Sequence, residues 1–328
     1  MVEYNKPWLS IDKQVERLVE HGLEVEDPDR AARILTAIGY YRLTGYLYPF
    51  RESEEYLDDE GRRRIRVLSH FRAGTGLAHA EEIIDFDRRL RLLVLDGLER
   101  IEVAVRMRIG YVLGRASSFA YEDPTRFVGA FTKDDTDIRR PTPSKHVQWL
   151  QRVSSRQAGS DEQFVDHFRE KYDDRMPVWA LTEILELGHL SILYRGINQT
   201  DPAEIAEAFQ IPTKKMMTSW LASLNYVRNV AAHHGRLFNR KLQNAPARPA
   251  VGQIPALDHL RDSGEAKRVY GTYNALAVVA YLVSSIDPDA DWPGRLAALL
   301  REFPTSDALT IGSVGAPESW ASLDLWNA

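Results

Sequence analysis

The sequence predicts an all-α fold, and three kinds of observation support this fold class. Apolar residues recur at steps of three, four or seven along most of the chain, helix-capping residues stand at the ends of these segments, and the alternation typical of strands is rare. With 328 residues, of which 44% are hydrophobic and 27% charged, the chain can bury a sizeable core. We therefore expect packed helices.

Two capped helices are predicted near the N-terminus. Ser10 is a good N-cap for a first helix, which Gly22 ends. Asp27, followed by a proline, starts a second helix, which stops at Gly39. An aromatic run at 40–51 and a charged loop at 52–66 follow.

The aromatic run has two interpretations. Its aromatic side chains, together with Arg42 and Arg51, could stack on RNA bases. Alternatively, they belong to the core beside the helix ends. Both interpretations stay open from the sequence.

Residues 80–114 predict one long helix with an apolar stripe. The stripe consists of Leu90, Val94, Leu98, Ile101, Val105 and Val112. A break near Gly97 or Gly110 is an alternative, because a helix of this length would extend for about 50 Å.

Turn residues dominate 117–143, and helical spacing returns after them. The predicted helices are 146–153, 164–172, 178–194, 203–209, 213–233 and 264–286, with a proline-rich loop from 244 to 255. We expect an N-terminal helical region at 1–72, a helical core at 73–302 that contains a loop at 244–262, and a C-terminal tail at 303–328.

Composition excludes several classes of site. There is no cysteine, which excludes disulfides and thiolate chemistry, and the histidines lack the spacing of metal ligands. The N-terminus has no signal-peptide core, and the longest apolar stretch, 275–286, is too short to span a bilayer. We therefore expect a cytoplasmic protein with no membrane partner, no cofactor and no metal.

Charge is unevenly distributed along the chain. The net charge is −5, yet residues 208–257 contain no Asp or Glu, where about seven would be expected from 47 in 328. The same segment holds seven Lys or Arg residues and the only His-His pair. This pattern predicts a local site for an anion.

The chemistry-bearing residues lie within this segment. If residues 213–240 form one helix, Asn229, His233, Arg236 and Arg240 fall within about 60° of each other, with Arg228 at the edge. If the helix ends at Gly235, the last two arginines belong to a following turn.

Such a group of side chains suits RNA cleavage. Guanidinium groups bind phosphate in a forked geometry, and an imidazole can give or accept a proton near neutral pH. The same residues would also suit a basic surface that binds RNA without cleaving it. A helix-turn-helix DNA regulator is weaker, because the segment lacks a spread of base-reading polar residues.

Arg228, Asn229 and His233 together resemble the R-x4-6-H motif of the HEPN ribonucleases. The residues that follow, 234–240, are similar to the abortive-infection Abi family within HEPN, in particular its AbiD/AbiF-like branch. Further segments agree with that family in order along the chain: 6–14, 39–50, 86–91, 101–106, 177–188 and 315–320.

This resemblance implies a HEPN-like helical bundle with an N-terminal helical extension and a C-terminal tail. It implies a homodimer in which two motifs form one metal-independent endoribonuclease site, acting as a toxin in antiphage abortive infection. Carried over, Arg228 and His233 are the catalytic pair, and Asn229 supports them. RNA is the expected substrate, and a small non-coding RNA or another antitoxin is the expected restraining partner.

Some assignments stay open. His234 also satisfies the looser motif spacing, and Arg236 and Arg240 are expected to support phosphate binding. Glu102 and Arg106 either position the motif helix or form a surface ion pair. Gly235 stands where some HEPN toxins have a tyrosine, so regulation through modification of that tyrosine is not expected.

Overall fold

The computed structural model describes residues 3, 7–134, 142–198, 200–261 and 269–327. Most of these residues are helical. Within the described ranges there is also one sheet, which has two strands. The prediction of an all-α fold is confirmed as a mainly helical fold, with the two-stranded sheet as the departure from it. The chain forms two compact units, one of Met1–Arg89 with Leu299–Ile311 and the other of Leu90–Ala298 with Gly312–Ala328. The predicted regions 1–72, 73–302 and 303–328 stay a prediction.

The first unit begins with the two capped helices that the sequence predicts. Helix α1 spans Ile11–Glu20 and α2 spans Pro28–Ile38. The Ser10 hydroxyl and the Asp27 carboxylate each accept a hydrogen bond from a first-turn backbone N–H, at 3.4 and 2.9 Å. The helices pack together and bury Val15, Leu18, Ala31 and Leu35.

The aromatic run is divided between core and surface. Helix α3 (Tyr40–Tyr46) begins directly after Gly39. Tyr46 is buried, and its hydroxyl donates to Asp87 Oδ2 at 2.6 Å. Tyr41, in contrast, has an exposed side chain. The core interpretation is therefore confirmed for Tyr46, whereas stacking of RNA bases on the exposed part of the run stays a prediction.

The predicted charged loop at 52–66 is wrong, because this segment forms a β-hairpin. Strand β1 (Arg51–Leu57) pairs antiparallel with β2 (Arg63–Phe71). Glu54 lies opposite Arg66 in the register, and their side chains form an ion pair. Both strands are largely exposed, so the segment lacks the apolar alternation by which a half-buried strand is recognised.

Helix α4 (Leu77–Ala116) runs for 40 residues without a break. The predicted apolar stripe is confirmed, because all six of its residues are buried. Neither Gly97 nor Gly110 interrupts the helix. A Cβ at Gly97 would lie 2.7 Å from Trp292, and one at Gly110 would lie 3.0 Å from Trp179. These glycines permit close packing on the helix surface.

Nine further helices follow within the described ranges. They are α5 (Gly129–Thr132), α6 (Lys145–Ala158), α7 (Gln163–Tyr172), α8 (Val178–Leu181), α9 (Leu187–Gly196), α10 (Asp201–Glu207), α11 (Lys214–Ala232), α12 (Thr272–Ile286) and α13 (Trp292–Arg301). The predicted helices at 146–153, 164–172, 203–209 and 213–233 are confirmed within a few residues. The predicted helix at 264–286 is observed as α12, and residues 262–268 lie outside the described residues.

The prediction of one helix over 178–194 is wrong. A 3-10 turn at Thr182–Ile184 and an extended Leu185 separate α8 from α9. This break frees two backbone carbonyl groups from the helical ladder. Arg156 Nε donates to Ile184 O at 3.1 Å, and Arg106 Nε donates to Leu185 O at 2.9 Å. The two guanidinium groups satisfy these carbonyls, and no local pattern reveals that in advance.

Helix α12 is buried over most of its length, and the end of the chain packs on it. Trp326 is buried and donates from its indole Nε1 to the Tyr273 hydroxyl at 3.0 Å. Trp320 is also buried, with its ring centroid 6.3 Å from that of Trp326. Within the described part of the chain, every helix is too short or too polar to cross a membrane.

Candidate active site

Helix α11 belongs to the second unit and carries Arg228 and Asn229 of the motif, and His233 follows directly as its C-cap. Apolar residues at steps of four, three and four form one stripe of the helix, and all of them are buried: Trp220, Leu224, Val227 and Ala231. The helix packs antiparallel to α9. Lys214 near its start donates to Ile197 O, whereas Asn225 further along faces Gly188 near the start of α9. The C-terminal half of α11 therefore lies beside the beginning of α9.

The helix ends at Ala232, so Arg236 and Arg240 belong to the following turn. The Gly235 N–H donates to Val230 O at 2.8 Å, and the His234 N–H donates to Ala231 O at 3.1 Å. These are the two hydrogen bonds of a Schellman motif. His234 takes the left-handed position of that motif, with φ 57°, where glycine is the usual residue. The arrangement with one helix through Arg240 is wrong, and the alternative with a turn is confirmed.

The motif side chains lie at the solvent-facing end of α11. Arg228 is half-buried, and Asn229 and His233 are exposed. Arg228 Nη1 donates to Asn229 Oδ1 at 3.4 Å. Among the described residues, no carboxylate pairs with Arg228. An anion can therefore approach a guanidinium whose charge is not neutralised by a neighbouring acid.

The turn brings Arg240 back onto α11. Arg240 Nε donates to Arg236 O at 2.7 Å, and Arg240 Nη1 donates to the Tyr226 hydroxyl at 3.1 Å. The guanidinium of Arg236 lies 5.7 Å from the Phe238 ring centroid. Arg240 lies outside α11, but its side chain is thus fixed against Tyr226, which precedes Arg228 by two residues on that helix.

Tyr226 is a site residue that the sequence reasoning missed. It lies three residues before Asn229 and seven before His233, so all three share one face of α11. That spacing was a usable signal. The hydrogen bond to Arg240 was not predictable from it, because it depends on the path of the turn after Gly235.

Glu102 and Arg106 form the ion pair that one of the two interpretations predicted, but the pair is mostly buried and not at the surface. Arg106 Nη2 lies 2.5 Å from Glu102 Oε1, and the side chains are 21% and 11% exposed, respectively. No hydrogen bond or ion pair between described residues joins this pair to Arg228 or His233. Through Leu185 O, the pair instead holds the segment that leads into α9, the helix that packs on α11.

His189 on α9 is a further histidine near this pair. Burial lowers its pKa below the ordinary value, and Arg152 and Arg156 act in the same direction, whereas Glu186 and Glu102 oppose the change. Its Nδ1 has no hydrogen-bond partner among the described residues. At neutral pH, this imidazole is therefore neutral.

The segment that carries the motif is cationic. Residues 208–257, all within the described ranges, contain seven Lys or Arg residues and no Asp or Glu. Within those ranges no cluster of three or more His, Asp or Glu side chains is arranged to hold a metal ion. The arrangement can bind a phosphate and place an imidazole beside it.

Comparison with known proteins identifies one family. The family model described as Abi-like protein matches residues 33–239, which include Glu102, Arg106, Arg228 and His233. The match ends one residue before Arg240. No curated protein and no solved structure matches the chain.

Proposed function

The chain belongs to the Abi-like protein family, and from this membership we propose that it is a metal-independent endoribonuclease of the HEPN type, acting in antiphage abortive infection. One observation supports the proposal most strongly. Arg228, Asn229 and His233 stand together at an accessible helix end inside a segment without carboxylates. A buried His233 would have been incompatible with this function.

The reaction requires three tasks. The 2′-hydroxyl of the substrate gives up its proton to a base and attacks the neighbouring phosphorus, the bond to the 5′-oxygen breaks, and that oxygen takes up a proton from an acid. Arg228 binds the phosphate and stabilises the charge that develops on it. His233 transfers a proton. The products are a 2′,3′-cyclic phosphate and a 5′-hydroxyl end.

The remaining predicted residues have supporting roles in this proposal. Asn229 accepts from Arg228 and restrains it. Arg240, fixed by Tyr226, adds a second cation close to the phosphate position. We assign the proton transfer to His233 because it shares a face with Asn229 and Tyr226, whereas His234 occupies the left-handed turn position.

The active form in this proposal is a homodimer. A single α11 offers one Arg228 and one His233, whereas cleavage needs a group at the 2′-hydroxyl and another at the leaving oxygen. A second copy across a two-fold axis supplies the second set. A small non-coding RNA or another antitoxin would restrain this toxin in uninfected cells.

The proposal is tested with purified protein on end-labelled RNA in EDTA. Arg228→Ala and His233→Ala should each lower the cleavage rate by about 10²–10⁴-fold, because each removes one group from the transition state. Both variants should also lose toxicity in growing cells. Mass spectrometry of the parent's products should show 2′,3′-cyclic phosphate ends.

His167→Ala is the matched control, because His167 is an exposed histidine on α7. This variant should cleave RNA like the parent, and thermal unfolding should show that all variants are folded. Cleavage by His233→Ala at the parental rate would refute the proposed mechanism. A parent that retains RNA without cleaving it would instead identify a non-catalytic RNA-binding protein that uses the same basic surface.

A further inference from the structure

The first unit contains a cavity that the proposed cleavage site does not use. It has a volume of about 670 Å³ and lies between the segment before α1, α1 itself, α3 and the β-hairpin. This volume falls within the range of about 300–1,000 Å³ that small-molecule sites span. Among the described residues that line it, none is Asp or Glu.

Large aromatic side chains lie exposed at this cavity. Trp8 is 86% exposed and Tyr41 is 79% exposed, and both line it together with Tyr40. The rings of Tyr40 and Tyr41 meet edge to face, with centroids 5.9 Å apart. Neighbouring Tyr46 and Phe50 are packed in the core, whereas Trp8 and Tyr41 are the two most exposed of the large hydrophobic side chains in the described part of the chain. Exposed aromatic groups beside a cavity are typical of binding sites.

Two arginines, Arg17 and Arg51, also line the cavity. Neither of them has a carboxylate partner among the described residues. The guanidinium of Arg51 lies 5.7 Å from the ring centroids of both Tyr48 and Phe71, which hold it in place. Arg51 Nε is buried and has no hydrogen-bond partner in the described part of the chain. A fixed, buried donor of this kind is satisfied when a ligand or water accepts from it.

The electrostatic surroundings agree with an anion site. The pKa of His21, which also lines the cavity, is lowered by burial and then by the charges of Arg17, His70 and Arg51. Glu20 opposes this shift with a smaller effect. The described lining of the cavity holds Arg17 and Arg51 and no Asp or Glu, so it carries positive charge, although the whole chain carries a net charge of −5.

We propose that this cavity binds one nucleotide, with its base stacked on Trp8 or Tyr41 and its phosphate held by Arg17 and Arg51. Every base has a flat π-face that stacks on an aromatic ring, and guanidinium groups bind phosphate. An acidic peptide would use the arginines alone and would leave both rings exposed. The nucleotide is either free or the end of an RNA strand, and the two sources share this chemistry.

The test uses the full chain with His233→Ala as background, so that RNA stays intact. Binding of the four nucleoside monophosphates, and of a ten-nucleotide single-stranded RNA, is measured by calorimetry and by fluorescence anisotropy. Loss of the stacking ring, by Trp8→Ala or by Tyr41→Ala, should weaken binding by about 5- to 150-fold, the range for loss of one stacked base. Arg51→Met should lower the salt dependence of RNA binding by about one phosphate contact.

Tyr56→Ala is the matched control, because Tyr56 is an exposed aromatic residue beside Arg66 in the same unit but does not line the cavity. It should bind like the background protein. Binding of monophosphates that Trp8→Ala or Tyr41→Ala weakens by this factor would establish a free nucleotide as the ligand. Binding of the RNA alone, with the same loss, would establish a strand end.

Two results would overturn the proposal: no binding of either probe, or equal binding by the Trp8→Ala, Tyr41→Ala and control proteins. Preference for a polyglutamate peptide over both probes would also overturn it. A failure of the nucleotide-binding proposal can be distinguished from a failure of the cleavage proposal. Cleavage depends on Arg228 and His233, and it is measured in a chain whose cavity is intact.

Discussion

His234 is one of four non-glycine residues in the described part of the chain that have a left-handed backbone. It occupies the left-handed position after α11 with φ 57°, which costs a residue with a Cβ about 1–2 kcal/mol. We expect His234→Gly to raise the free energy of unfolding by about 0.5–1 kcal/mol, because glycine adopts this conformation without strain but loses more entropy on folding. Urea unfolding followed by circular dichroism measures the change.

His234→Ala is the control for the backbone effect, because alanine keeps the strain and should give no such gain.

The same pair of variants distinguishes the two histidines. If His233 is the residue that transfers the proton, His234→Gly should still cleave RNA at a rate close to that of the parent. A loss as large as that of His233→Ala would move the assignment to His234.

The sequence indicated most of the motif side chains but not all of their contacts. Arg228, Asn229 and His233 follow from spacing and family resemblance, because neighbours on one helix are related by a fixed rotation. The position of Arg240 against Tyr226 depends on a turn whose path is set by non-local packing. No local pattern records such a contact, and for this reason Tyr226 was missed.

Helix α4 shows that a glycine within a helical segment can permit close packing and need not break the helix. Gly97 suggested a break, but a Cβ there would lie 2.7 Å from Trp292 and 2.8 Å from Val279. We expect Gly97→Ala to lower the free energy of unfolding by about 1–3 kcal/mol through overpacking, although alanine is the better helix former. Urea unfolding of purified variants tests this.

Gly45→Ala provides the comparison, because Gly45 lies inside α3 and a Cβ added there would meet no side chain or distant backbone within 4 Å. There the higher helix propensity of alanine should act alone and raise stability by up to about 1 kcal/mol. If both substitutions stabilise the protein, the close packing at Gly97 relaxes without cost, and overpacking is not the explanation.

The connection between α8 and α9 depends on a buried charge pair. Glu102 accepts from Arg106, and Arg106 donates to Leu185 O in the extended connection. Glu102→Ala should lower the free energy of unfolding by about 3 kcal/mol, because it leaves the mostly buried guanidinium without its partner. Thermal and urea unfolding measure the loss.

The matched control is Glu204→Ala, which removes the carboxylate of the exposed Arg115–Glu204 pair. An exposed pair contributes little, so the unfolding midpoint of this variant should stay close to that of the parent. Equal effects of the two substitutions would show that burial does not strengthen the Glu102–Arg106 pair.

The β-hairpin marks the limit of element prediction from this sequence. Its strands are joined by opposite charges across the register, such as Glu54 and Arg66, on faces that are mostly exposed. Hydrophobic periodicity detects burial, and these strands bury little. The sequence did contain turn-forming residues, Asp58 and Gly61. In the structure, Asp58 accepts from the backbone N–H of Arg62, and Gly61 has φ 74°.

Across the whole chain, the helical class was predictable because buried stripes repeat along many segments, as in α4 and α11. The grouping of segments into units was not. Leu299–Ile311 belongs with the N-terminal residues, whereas Gly312–Ala328 belongs with the central ones. Phe86 and Phe303, whose ring centroids are 5.1 Å apart, illustrate such a long-range contact in the first unit. Nothing local in the sequence encodes it.

An exposed apolar face on α4 is the surface on which we expect a second copy to pack. Leu92, Val103, Met107 and Tyr111 lie at steps of eleven and four, which places them on one side of the helix. Their exposed fractions are 59%, 47%, 51% and 59%. Asp96 and Glu99 lie on the same side of the helix between Leu92 and Val103, so the apolar part of this face is Val103, Met107 and Tyr111. Exposed apolar side chains that recur on one helix face are typical of an interface, and a face that contacts its own copy requires two-fold symmetry.

Met107→Lys should therefore convert a dimer into a monomer, because two lysines would be brought together on an apolar surface. Sedimentation equilibrium measures the mass, and cleavage should fall with the dimer fraction if both copies contribute to the site. Val251→Lys, which charges an exposed apolar residue in a loop, should change neither. A Met107→Lys protein that stays dimeric would place the interface elsewhere. A parent that cleaves RNA as a monomer would contradict the composite site itself.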